Sequence, residues 1–117
     1  MPQSDLQALT EKIVAFRDAR DWKQFHNPKD LAAGLAIEAA ELQELFLWRA
    51  PDELEEVVSE KRARLSEELA DVAWFVLLLA RELDIDLTDA IESKLAKNAE
   101  KYPVDKAKGR HAKYDEL

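Results

Sequence analysis

Cysteine is missing from the chain, which rules out disulfides, thiolate metal sites and a cysteine nucleophile. The absence suits a reducing compartment, and a cytoplasmic location is expected. Glycine and proline are scarce, two and four among 117 residues. Against abundant Ala, Leu, Glu and Lys, that scarcity predicts an all-α fold. The longest unbroken apolar run, VAWFVLLLA at residues 72–80, is far shorter than the ~20 residues a bilayer span needs. The first residues, MPQSDLQALTEK, have no basic segment followed by an apolar one, so no secretory signal is expected. Basic residues are outnumbered 17 to 25, for a net charge of −8. Non-specific binding to nucleic acid or anionic membrane is therefore disfavoured. A small anionic ligand stays open, because a bound divalent cation reverses the local sign.

What is present reads as one domain over residues 1–117 with four helices and a C-terminal arm from about residue 104. The first helix spans about residues 4–19, with Leu6, Leu9, Ile13 and Phe16 at helical spacing and Ser4 and Gln7 forming a capping box. An irregular aromatic connection follows, RDWKQFHNP. Asn27 and Pro28 then suit an N-cap and first turn, opening a second helix to about Trp48. A third covers about residues 59–83 and is apolar nearly all round in its second half, as a central bundle element or a subunit interface would be. Asp86 caps a fourth helix, which stops at about Lys101, before Pro103. Short connections imply antiparallel neighbours, hence a four-helix bundle assembled as a homo-oligomer.

The segment LAIEAAELQELFLW, residues 35–48, places acids among leucines. At about 100° per residue, Leu31, Leu35, Leu42 and Leu45 fall within roughly 60° of Glu38, so Glu38 sits inside the apolar stripe. Glu41 lies about 60° to one side, and Glu44 about as far again toward solvent. On the third helix Leu65, Val72, Phe75 and Leu79 surround Glu68, with Asp71 about 60° aside. Burying unpaired carboxylates costs several kcal/mol each unless they are protonated, paired or metal-bound. Glu60, Glu67 and Glu82 read instead as solvated acids, with Arg62, Arg64 and Arg81 as helix partners. The four inward acids suggest hard oxygen donors for Mg²⁺, with Mn²⁺ as a substitute, and Mg²⁺ usually shares its shell with substrate phosphates. A di-iron carboxylate bundle needs Glu-x-x-His pairs, and neither His26 nor His111 follows a glutamate by three residues.

Glu38-x-x-Glu41 followed by Glu68-x-x-Asp71 resembles the metal-binding signature of the all-α nucleotide pyrophosphohydrolases, the MazG-like group. RDWKQFHNPKDL, ELFLW, ELADV, KNAEKYP and the ending KYDEL resemble its dCTP pyrophosphatase branch over nearly the whole chain. The resemblance implies Mg²⁺-dependent hydrolysis of a deoxynucleoside triphosphate, dCTP or a modified cytosine nucleotide, to monophosphate and pyrophosphate, in nucleotide-pool sanitation. It also implies homo-oligomers, commonly tetramers with dimers as the alternative, in which a neighbour completes each site. Lys94, Asn98, Lys101 and Tyr102, on one side of the fourth helix, become a phosphate and sugar clamp. Trp22, Phe25, His26 and Trp48 become candidates for the base pocket, while Trp74 reads as core or interface. Ile13 stands where some cytosine-preferring relatives carry His, a departure that bears on base preference more than on reaction type. Two alternatives stand beside this reading: a broader nucleoside triphosphate pyrophosphatase, and a non-catalytic helical oligomerisation module with a structural cation.

Overall fold

The computed structural model describes residues 4–117; residues 1–3, which the sequence reading includes in the domain, lie outside the described residues. All regular structure among the described residues is helical. Helix α1 runs Asp5–Ala19, α2 Pro28–Glu44, α3 Leu54–Glu60, α4 Arg62–Glu82, α5 Leu87–Lys101 and α6 Val104–Ala107. The helix starts follow the capping residues read from the sequence. Ser4 and Gln7 close a reciprocal capping box on α1, the Asn27 side chain accepts from the Asp30 N–H ahead of Pro28, and Asp86 accepts from the Asp89 N–H. Each satisfies amide groups that the first turn leaves without partners.

With so little glycine, aspartate takes its place at helix ends. Asp21 and Asp84 adopt φ of 55°, a left-handed conformation that Asp tolerates better than most side chains. Both complete Schellman closures: the Trp22 N–H donates to the Arg17 carbonyl and the Ile85 N–H to the Ala80 carbonyl.

Two helix boundaries differ from expectation. Helix α2 ends at Glu44 rather than at Trp48, and the chain continues through successive turns to Trp48, at φ 66°. The expected third helix, about residues 59–83, is α4 and starts later, at Arg62, while residues 54–60 form the separate helix α3, divided from it at Lys61. No glycine or proline marks that break, so helical periodicity runs across it.

The chain forms two compact units, the first ending at Ile85 and the second spanning Asp86–Leu117. Within the first, α4 is the central element, and α1, α2 and α3 each pack against it. Its buried apolar residues are Ile13, Leu31, Val57, Leu77 and Leu78. The α2–α4 crossing is close at Gly34, where a Cβ would lie 2.5 Å from Cε1 of the Phe75 ring. Arg81 of α4 pairs with Glu11 of α1, across helices and not with an acid of its own helix as expected. In the second unit, Tyr114 turns back onto the end of α5. Its ring lies 6.2 Å from that of Tyr102, edge-on, and 4.6 Å from Lys101 Nζ. The arm expected from about residue 104 is thus ordered, with α6 and a final helical turn at Tyr114–Glu116. No described helix is long and apolar enough to cross a membrane.

Candidate active site

Helices α2 and α4 carry the acids that the apolar stripes single out. Leu31 is buried and Leu35, Leu42 and Leu45 are half-buried around the half-buried Glu38 and Glu41, so packing of α2 on α4 draws both carboxylates inward. Glu68 on α4 is only 5% exposed. One carboxylate oxygen from each of Glu38, Glu41 and Glu68 lies within 4.8 Å of those of the other two. Glu38 Oε2 and Glu68 Oε2 are both buried without a hydrogen-bond donor. Buried oxygens are rarely left in that state without a role or an unseen partner.

Burial, foremost, holds the Glu38 carboxyl above the usual carboxylate range. A hydrogen bond shared with Glu41 and the charges of Glu41, Asp71 and Glu68 push the same way. This is the electrostatic state of acids brought together without a counterion. Three hard oxygen donors, two of them orphaned, fit Mg²⁺ or Mn²⁺ and not a soft metal.

Asp71 behaves differently from the expectation that it turns inward. It lies one turn after Glu68, is exposed, and stays outside the close trio, though its charge still acts on Glu38. Its position off the centre of the α4 stripe accounts for this: about 60° of rotation carries it to the edge of the packed face. Glu44 is exposed, as its position on the wheel requires. Arg64 departs from the sequence reading: rather than pairing with a solvated acid, its Nε donates to Glu68 Oε1 at 3.0 Å. The i,i+4 spacing of Arg64 and Glu68 was the available signal.

The aromatic candidates are spread over two connections. Trp22 packs edge-on against Phe16, with ring centroids 5.8 Å apart, and Phe25 is 65% exposed. His26 is half-buried and its Nδ1 has no partner. Trp48 is 91% exposed in a left-handed conformation, which costs a bulky residue on the order of 1–3 kcal/mol. Trp74 is half-buried and meets Phe16 edge-on at 5.4 Å. Both line an apolar groove of about 440 Å³ between α1 and α4, with the buried Ile13 in its floor.

Lys94, Asn98, Lys101 and Tyr102 all belong to the second unit. Asn98 and Tyr102 are half-buried, Lys94 and Lys101 exposed, and the Tyr102 N–H donates to the Asn98 carbonyl at 2.8 Å. Tyr114, which supports both Lys101 and Tyr102, had no sequence signal beyond its place in the KYDEL ending.

Comparison with known proteins adds an independent line. The sequence pattern of the MazG-like family matches residues 34–117. The chain is 36% identical to dCTP pyrophosphatase 1 of Mus musculus, over 99% of this chain and 69% of that protein. It is 38% identical to dCTP pyrophosphatase 1 of Bos taurus, over 96% and 68%. A crystal structure of a pyrophosphatase from Archaeoglobus fulgidus superposes with a TM-score of 0.82 at 38% identity, covering 88% of this chain and 96% of that one.

Proposed function

The chain belongs to the MazG-like family and is a nucleotide pyrophosphatase, and from that premise we propose that it hydrolyses a deoxynucleoside triphosphate, dCTP or a modified dCTP, to the monophosphate and pyrophosphate with Mg²⁺. The observation that carries the reading is the convergence of Glu38, Glu41 and Glu68, with buried oxygens that no donor satisfies. Asp71 joins them as the fourth acid once a cation offsets the repulsion among them. When bound, the cation supplies neutralisation of the triphosphate and acidification of the attacking water.

The chain's own residues do the rest. One glutamate of the cluster accepts the water proton as the oxygen attacks phosphorus. The bond between the α and β phosphates breaks, and pyrophosphate leaves. Lys94 and Lys101 bind phosphate oxygens, Asn98 and Tyr102 the sugar. Trp22, His26 and Trp48 offer the base two stacking faces and one edge-reading group. The protomers assemble as a homo-oligomer, a tetramer in preference to a dimer. The role is nucleotide-pool sanitation in the cytoplasm, which a cysteine-free chain suits.

A second reading, broader specificity, is favoured by Ile13, which is buried and apolar and offers a base no hydrogen bond. One assay decides among the readings: pyrophosphate release from a panel of dNTPs and NTPs, with Mg²⁺ and with EDTA. Pyrophosphate plus dCMP from dCTP, abolished by EDTA, is expected; comparable rates across bases support the second reading. Orthophosphate release refutes cleavage at this bond. No turnover by folded protein points to a helical module with a structural cation.

A further inference from the structure

The two oxygens of Glu68 have different surroundings. Oε1 accepts from Arg64 Nε at 3.0 Å, while Oε2 is buried with no donor. The Glu68 side chain is 7% exposed and that of Arg64 61%, so the guanidinium reaches in from the solvent side. Arg64 sits one turn before Glu68 on α4, and the donated N–H lies in the rigid guanidinium plane. A glutamate carboxylate otherwise rotates broadly about its last torsion.

We propose that Arg64 is a positioning residue for the cation site: by holding Oε1 it fixes the Glu68 carboxylate, leaving Oε2 as the oxygen presented to the cation. The inference rests on reading Glu38, Glu41 and Glu68 as that site. Two effects of Arg64 oppose each other. Its positive charge repels a cation, whereas its hydrogen bond orders a ligand. The charge is largely solvated, and such exposed pairs are worth little. Hydrogen bonds that orient metal ligands are typically worth about 10–100-fold in affinity, so ordering wins.

The test is Mn²⁺ titration of the full, nucleotide-free chain, followed by the electron paramagnetic resonance signal of free Mn²⁺. Arg64→Ala raises the apparent Kd about tenfold, and Arg64→Lys, which keeps the charge and can still donate to Oε1, stays within about threefold of wild type. An Arg64→Ala protein within about threefold of wild type overturns the proposal, because ordering a metal ligand should be worth more than that. Tighter binding overturns it too, since Arg64 would then compete with the cation. Glu68→Gln separates the two levels. If it binds Mn²⁺ as wild type does, the cation-site reading itself fails. If it loses binding while Arg64→Ala keeps it, only the positioning role fails.

Discussion

At Glu38 three forces act in one direction: burial, a hydrogen bond with Glu41, and the negative charges around it all favour the protonated carboxyl. The folded state therefore holds this proton more tightly than the unfolded chain does. Between the ordinary value of 4.5 and the raised folded value, stability falls as pH rises. Without metal, the melting temperature should decline through that window in wild type. In Glu38→Gln the decline should be smaller, and that variant should melt higher than wild type at neutral pH. Mg²⁺ reverses the order, stabilising wild type by binding the folded state and leaving Glu38→Gln unmoved. Thermal melts from about pH 4.5 to about pH 8, with and without Mg²⁺, read all of this. A Glu38→Gln protein that Mg²⁺ still stabilises removes Glu38 from the site. In the same variant kcat/KM should drop by roughly a hundredfold or more, since even groups that only orient a ligand are worth about that. Glu38, Glu41 and Glu68 were legible in the sequence because an acid inside an apolar stripe is anomalous whatever the fold. The exposure of Asp71 and the Arg64 contact were only partly legible: spacing puts Asp71 at the edge of the stripe and Arg64 one turn before Glu68, but it does not fix which way either side chain turns.

Helix α2 meets α4 over a single glycine. A Cβ at Gly34 would lie 2.5, 2.9 and 3.0 Å from three carbons of the Phe75 ring, and a packed aromatic ring has little freedom to yield. Gly34→Ala gains about 1 kcal/mol in helix propensity but overpacks the crossing, at about 1–3 kcal/mol. The expected net is a loss of about 1 kcal/mol, read from denaturant unfolding. Glu38 lies one turn after Gly34, and Asp71 one turn before Phe75. Separating the helices at this point should therefore weaken Mn²⁺ binding as well. Intact stability together with intact Mn²⁺ binding would show that the crossing has slack. Periodicity marks which face of each helix is apolar but carries no distance between faces, and so the role of Gly34 was invisible. Element ends divide in the same way. Capping by Ser4, Asn27 and Asp86 was readable from side-chain chemistry, whereas the break at Lys61 has no residue type to announce it. On α5, Lys94→Ala should raise KM roughly tenfold with kcat little changed, as loss of a charged phosphate contact before the chemical step does. Steady-state kinetics with the best nucleotide check this, and an unchanged KM denies Lys94 that contact.

The chain as a whole leaves much of its apolar surface unburied. Five apolar side chains are buried among the described residues, while Leu9, Phe16, Trp22, Ile37, Leu69, Ile91 and Leu95 are each at least 39% exposed. Helix α5 contains no buried residue. Large exposed apolar patches mark surfaces that associate, and a chain of this length has little margin when its core is so small. The groove between α1 and α4 and a second one, lined by Leu42, Phe46, Val58, Leu65 and Leu69, concentrate that surface in the first unit. If assembly covers them, folding and association are linked, and stability must depend on protein concentration. Raising the concentration about a hundredfold should raise the melting temperature by several degrees, and light scattering should give a mass that is a multiple of the 13.4 kDa chain. Leu69→Glu puts a charge at a 60% exposed position that lines the second groove. It should lower the mass and flatten the concentration dependence while helical content persists. A monomeric wild-type mass with a concentration-independent melt would mean that the protomer tolerates this surface, and that its site is made by one chain alone.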